Sequence, residues 1–292
     1  MISGNLLWIL LGTMLLGLAA GVIGTFSFLQ KQSLIGDAAA HAALPGVALA
    51  FLATGEKDLP ILMLGAVITS TLAVYSIQGI VNYSKLKADA AIGLVLSVFF
   101  GMGIVFLTIV NRQPGGNQSG LSDFIFGKAA AMTKSDLYWL FICAGLILIV
   151  SVLLQKQWKL MIFDPIYAKS IGLPVTFLKI MLTALIVLTI VTGIQAVGVI
   201  LMSALLIVPA ATAKLWTKTV ATMLIFSGAL GGISGLVGTY ISSLKTGLST
   251  GPIIVLVSAF VFVISYLISP KAGLVSKVLY KRRLQSEVTP RD

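Results

Sequence analysis

The chain has 292 residues, 58% of them hydrophobic and only 10% charged, with a mean hydropathy of +1.06 and a formal net charge of +11. Soluble domains carry roughly 45–50% apolar and about 25% charged residues, so a soluble globular protein is excluded and a polytopic membrane protein is implied. The 20 basic residues sit at the ends of apolar runs, as membrane anchors do, which excludes a nucleic-acid-binding surface.

A helix needs about 20 apolar residues to cross the hydrocarbon core. Windows of that size predict nine candidate spans, near 5–29, 35–53, 60–82, 90–111, 136–155, 175–193, 195–213, 219–241 and 252–269. The sixth and seventh run almost together, and the second is short and interrupted by Pro45-Gly46. The expected fold class is therefore an all-α polytopic membrane protein with 8–9 transmembrane helices. Met1-Ile2-Ser3-Gly4-Asn5 lacks the basic region of a signal peptide, so the first apolar segment reads as a retained span.

The second span carries Gly36-Asp37-Ala38-Ala39-Ala40-His41-Ala42-Ala43-Leu44-Pro45-Gly46, with the single histidine of the chain and one of its nine acidic residues. An ionisable side chain at the bilayer centre costs about 2.5–3.5 kcal/mol even on the lenient insertion scale. Four residues apart on a helix, Asp37 and His41 share one face. Carboxylate oxygen and imidazole nitrogen there suit Zn²⁺, Mn²⁺ or Fe²⁺, and with no thiolate at hand a Cu(I) path is disfavoured. Ligation requires the neutral imidazole, so acid weakens it. The other reading of the pair is an intramembrane hydrogen-bonded contact that fixes helix packing. Pro45-Gly46 predicts a break in this helix, tolerated where the chain lines a cavity.

Glu56 and Asp58 fall in the next loop and Asp123 in a later one, on the same predicted outer side, where they read as solvated or as contacts for a delivery protein. Asp89, after Lys85 and Lys87, reads as the N-cap of the fourth span or as a residue lining the pathway. Residues 112–134 hold the turn-rich Pro114-Gly115-Gly116-Asn117-Gln118-Ser119-Gly120 and then a candidate surface helix from Ser122 to Met132. The lone Cys143 lies in an apolar run and reads as a small buried hydrophobe.

After the fifth span, Asp164-Pro165-Ile166-Tyr167-Ala168-Lys169-Ser170-Ile171-Gly172-Leu173-Pro174 spells out a two-turn helix. Asp164 suits the N-cap, Pro165 the first helical position and Gly172 the stop. Ile166, Tyr167 and Ile171 offer apolar contact, either to a docking partner or to lipid headgroups. Gln195, where spans six and seven meet, faces the pathway or bonds a freed backbone group. Gly228, Gly231, Gly232, Gly235 and Gly238 form a small-residue stripe that permits close helix approach, expected to serve internal packing.

With the C-terminus inside, Lys31, Lys85, Lys87, Lys156, Lys159, Lys169, Lys179, Lys214, Lys218, Lys271, Lys277, Lys281, Arg282, Arg283 and Arg291 are cytoplasmic; Lys57, Arg112, Lys128, Lys134 and Lys245 are outside. Fifteen against five is the asymmetry of a multi-pass protein of the cell membrane with a cytoplasmic C-terminus. Residues 1–283 read as one transmembrane domain, and 284–292 as a polar cytoplasmic tail.

These segments resemble the permease subunits of the manganese/zinc/iron family of metal-ion ABC importers. The resemblance rests on the stretch Ser33 to Ala48 around Asp37 and His41, on Asp89-Ala90-Ala91-Ile92-Gly93, on Phe163-Asp164-Pro165 with Ala168 and Gly172, and on the run Gln195 to Ala213. It extends in order along nearly the whole chain. Ala40 stands where the family usually has serine, and Lys128 follows Phe126-Gly127 where asparagine is expected. The resemblance implies a fold similar to that of the vitamin B12 importer's permease and a homodimer around a two-fold axis. It further implies a separate cytoplasmic ATPase subunit and an extracellular solute-binding protein that delivers the ion. Asp37 and His41 would be the metal ligands within the path. The helix at 164–172, with Asp164, Pro165, Ile166, Tyr167, Ala168, Ile171 and Gly172, would occupy the place of the coupling helix. The pathway would also involve Pro45, Asp89 and Gln195. The divalent ion is cargo, with no resident cofactor expected.

No Gly-x-x-x-x-Gly-Lys phosphate loop occurs, so ATP hydrolysis is assigned to another chain and this one is read as non-enzymatic. Two rivals stand beside the importer. One is an autonomous secondary carrier, proton-coupled through Asp37 and His41; the other, a membrane-embedded enzyme or assembly factor.

Overall fold

The computed structural model describes residues 4–31, 33–56, 58–112, 132–244 and 248–269. Among them the chain forms ten helices and no strand: α1 (Gly4–Leu29), α2 (Ser33–Thr54), α3 (Leu59–Tyr83), α4 (Ala88–Asn111), α5 (Lys134–Phe163), α6 (Pro165–Ser170), α7 (Val175–Val197), α8 (Val199–Trp216), α9 (Val220–Ser243) and α10 (Thr250–Ile268). Eight are long and apolar enough to cross a membrane, and α8 supplies a shorter apolar helix over Met202–Trp216. Residues 122–131 of the candidate surface helix, Asp123 among them, and the C-terminal basic cluster and tail lie outside the described residues; Met132 is buried and not helical.

Local chemistry sets several boundaries. Thr133 and Asp136 form a reciprocal capping box at the start of α5, with the Thr133 N–H donating to Asp136 Oδ2 at 2.8 Å and the Asp136 N–H to Thr133 Oγ1 at 3.3 Å. Asp164 accepts from the Tyr167 N–H at 2.9 Å and so caps α6. Gly172 closes that helix at φ +83°, the left-handed region a stop requires. The break between α7 and α8 falls at Gly198 (φ +94°), four residues beyond the expected one at 194. Around it the chain folds back, so that Met202 covers Gly193 and a Cβ at Gly193 would collide with the Met202 sulfur. Asp89 is not the N-cap of α4; the helix starts at Ala88 with Lys87 at the cap, and Asp89 lies in the first turn, where a carboxylate complements the helix dipole.

The bundle is built on backbone-to-backbone approach. α1 packs most extensively against α9. A Cβ on either Gly17 or Gly231 would strike the other's carbonyl oxygen, and Gly235 is pressed as closely on the backbone of Thr13. The glycine stripe is therefore an internal seam, with Gly238 packed on Ile254 of α10. Hydroxyls cross between helices: Ser227 Oγ donates to Gly21 O at 2.6 Å, Thr239 Oγ1 to Thr13 Oγ1 at 2.9 Å, and Ser70 Oγ to Ala39 O at 2.7 Å. Such bonds contribute about 0.6 kcal/mol each in a membrane.

One end of the bundle gathers the basic loops. There Phe28 and Leu29 of α1 meet Ala210 and Ala213 of α8 and Met223 of α9. The Trp158 indole of α5 donates to Leu178 O of α7 at 3.1 Å, and Ser269 Oγ donates to Leu215 O at 2.8 Å. Lys31, Lys85, Lys87, Lys156, Lys159, Lys169, Lys179, Lys214 and Lys218 all belong to this end, together with α6.

The expected break at Pro45-Gly46 does not occur. α2 runs unbroken from Ser33 to Thr54 with Pro45 inside it. Proline removes one backbone bond, the one that would have reached His41 O, but the helix is held by its neighbours. A Cβ on Gly46 or Gly65 would hit the opposite backbone, so α2 and α3 are locked at contact distance there. The spanning window of α2 is 72% buried, against 22% for α4 and for α10, which makes α2 an enclosed helix and the latter two peripheral ones.

Candidate metal centre

Asp37 and His41 lie one turn apart on α2, with His41 Nε2 3.7 Å from Asp37 Oδ1. Donors about 2.1 Å from a tetrahedral ion stand ~3.4 Å from each other, so the pair needs a shift of only a few tenths of an ångström to share a cation. The carboxylate side chain is 36% exposed and the imidazole 16%. Between them Ala38, Ala39 and Ala40 are fully buried, so the backbone carrying the pair is clamped while the two functional groups keep access.

Two neighbours complete the setting. Ser203 Oγ, on α8, donates to Asp37 Oδ1 at 3.0 Å. The ring of Phe100, on α4, meets the His41 imidazole edge-on with centroids 5.0 Å apart. Among the described residues His41 Nδ1 is buried without a hydrogen-bond partner. Nε2, the nitrogen beside Asp37, is therefore the ring atom placed to bind an ion. Among the described residues no group of three His, Cys, Asp or Glu side chains converges on one point. One chain thus presents two strong donors, fewer than the four of a closed tetrahedral site.

Other predicted residues fall elsewhere. Pro45 lies one turn beyond His41 on the same helix. Asp89 is not with the pair; it lines a separate cavity with Lys31 and Lys179 at the basic end of the bundle. Gln195 belongs to the last turn of α7, and its side chain lies outside the described residues. Ala168 of α6 is fully buried and anchors the short helix, while Ile166, Tyr167 and Ile171 are 82%, 54% and 52% exposed. Glu56 and Asp58 are both exposed near the α2–α3 turn.

Ser203 and Phe100 escaped the sequence reading as site residues. No spacing in the chain singles out Ser203. Thr25, Thr189, Thr192 and Thr212 satisfy their hydroxyls on the carbonyl four residues back. Ser203 sits in an equally apolar helix, yet donates to a carboxylate on another span.

The profile of the ABC 3 transport family matches residues 3–269. The manganese transport system membrane protein MntC of Bacillus subtilis is 47% identical over 281 residues, which cover 96% of this chain and 65% of that protein. The chain therefore spans about two thirds of the length of that relative. The zinc transport system membrane protein TroC of Treponema pallidum is 39% identical, with 94% of this chain and 93% of the relative covered. Among solved structures, PsaBC from Streptococcus pneumoniae in complex with a Fab superposes with a TM-score of 0.82 at 33% identity, covering 96% of this chain and 95% of the other.

Proposed function

Because the chain belongs to the ABC 3 transport family, we propose that it is the membrane permease of an ATP-driven importer of divalent transition-metal ions, Mn²⁺ or Zn²⁺, with Fe²⁺ fitting the same donors. The observation that carries this reading is the Asp37–His41 pair, 3.7 Å apart on an enclosed helix. The names of the relatives, manganese and zinc transport membrane proteins, support the cargo class.

Each residue has a distinct task. Asp37 supplies the negative charge that offsets dehydration of a divalent cation, and Ser203 holds one of its oxygens in place. His41 offers Nε2 as a neutral donor beside it. A second copy of the chain, related by a two-fold axis, would bring the donors to four. That is enough for a site and loose enough for release. ATP hydrolysis belongs to a separate cytoplasmic subunit docking on α6, whose exposed Ile166, Tyr167 and Ile171 form the contact face. A solute-binding protein would deliver the ion from outside. The basic end of the bundle, and with it the C-terminus, would face the cytoplasm of a plasma-membrane protein. An autonomous secondary carrier is not favoured, since it would leave α6 and the family membership without a role.

The test is uptake of radiolabelled Mn²⁺, Zn²⁺ and Fe²⁺ in cells carrying the permease with its partners. Wild type is compared with Asp37→Ala and His41→Ala at matched expression. Loss of uptake of one ion in both variants is the expected result and identifies the cargo. Undiminished uptake would assign the pair to helix packing.

A further inference from the structure

A cavity of about 140 Å³ opens at the basic end of the bundle, between the α1–α2 turn, the end of α3, the start of α4 and the first turns of α7. Three charged residues line it from three separate segments: Lys31, Asp89 and Lys179. All three are exposed, so they form its rim. Lys31 is fixed in its turn at φ +58°. Gln78 and Asn82, one turn apart on α3, add two amides to the lining. The floor is Ile35, Ile77 and Ile92, each buried.

The charges decide which ion belongs here. Two ammonium groups against one carboxylate leave the cavity at +1, which repels a divalent cation and attracts an anion. Its position, where spans enter and leave the hydrocarbon, together with the apolar floor, selects an amphiphile over a free solute. We infer that this cavity binds the headgroup of an anionic, hydroxyl-bearing glycerophospholipid of the phosphatidylglycerol type. The phosphodiester lies between Lys31 and Lys179, a basic pocket between spans being the arrangement that holds such groups. The glycerol hydroxyls donate to Asp89 and exchange hydrogen bonds with Gln78 and Asn82. At about 30 Å³ per water-sized group the cavity takes roughly five of them, room for the phosphate and part of the glycerol, with the rest of the lipid lying outside it. A zwitterionic phosphatidylethanolamine would leave the +1 charge unbalanced. Asp89 thereby leaves the ion path and becomes part of a lipid site.

The test is native mass spectrometry of the delipidated full-length protein in detergent. It is titrated separately with phosphatidylglycerol, phosphatidylethanolamine and inorganic phosphate. Wild type should retain phosphatidylglycerol in preference to phosphatidylethanolamine. Lys31→Gln/Lys179→Gln should lower its affinity about 30-fold, corresponding to about 1 kcal/mol per lysine. Lys85→Gln/Lys87→Gln, which removes two charges from the same end but none from the cavity, should bind as wild type does. An unchanged thermal melt of the first double variant confirms that it is folded. Equal loss in both double variants, equal binding of the zwitterionic lipid, or displacement by inorganic phosphate at comparable concentration would each overturn the inference. No metal or ATPase enters this measurement, so its outcome is separate from that of the uptake test.

Discussion

The hydroxyl of Ser203 donates to Asp37 Oδ1 at 3.0 Å, joining α8 to α2 across 166 residues of sequence. Ser203 is only 8% exposed, so the bond forms where water competes poorly and the carboxylate is oriented by protein. A carboxylate so held should lose affinity for a cation when the hydroxyl is removed.

Ser203→Ala should therefore raise the KM for ion uptake by about tenfold, the lower end of what loss of an outer-shell partner to a metal ligand costs. Ser203→Thr keeps the donor and should restore most of the affinity. If Ser203→Ala raised nothing but the fraction of misfolded protein, the bond would serve packing only. Uptake KM read beside the melting temperature separates the two.

The α1–α9 seam predicts a sharp contrast between glycines. Gly231→Val places a branched side chain against the carbonyl of Gly17, and overpacking of this kind typically costs about 1–3 kcal/mol. The variant should melt well below wild type or fail to accumulate. Gly79→Ala, on α3 with nothing within 4 Å of the added Cβ, should be neutral or stabilising by up to about 1 kcal/mol through helix propensity. Similar losses in both would show that the close approach of Gly17 and Gly231 does not set the cost.

The exposed face of α6 should matter to partners and not to folding. Ile166 is 82% exposed, so Ile166→Asp removes little buried surface and should leave the melting temperature of the isolated permease within error. A charge at the centre of an apolar contact would cost the complex far more. Co-purification of the ATPase subunit should fall sharply, and ion uptake with it. Retention of the ATPase by this variant would remove α6 as its docking element.

What was legible in the chain follows from where the signals are local. Each of the nine predicted spans has its helix, because a run of about 20 apolar residues leaves little alternative once water is excluded. The short helix after Phe163 was equally legible, since Asp164, Pro165 and Gly172 each act on their own backbone within a few residues. Asp37 and His41 could be paired from their spacing alone. What failed was non-local. Pro45 reads as a breaker by the local rule, yet α2 continues through it, packed on α3 at the Gly46–Gly65 contact. The α7–α8 boundary was misplaced because the apolar run is continuous there, and only the backbone of Gly198 marks the reversal. Ser203 and Phe100 reach His41 and Asp37 from other helices, and no spacing in the chain encodes that meeting.

Gly198 carries the last prediction, because two consequences of one substitution can be told apart there. At φ +94°, ψ +160° the backbone lies in a region essentially reserved for glycine, and Gly198→Ala should cost about 1–3 kcal/mol of stability. Gly55, at φ +70° in the α2–α3 turn with open space around it, also strains alanine. Gly198, however, directs the fold-back that seats Met202 over Gly193, and Ser203 is the next residue. Relaxing the strain at 198 turns the first turn of α8 and draws the hydroxyl away from Asp37 Oδ1; relaxing it at 55 moves only a loop. Both variants should lower the melting temperature, but only Gly198→Ala should raise the KM for uptake, and in the same direction as Ser203→Ala. Combined with Ser203→Ala, it should add little further to KM, since the bond is already gone. A fully additive effect of the two on KM would mean that the reversal acts on the site by some route other than Ser203.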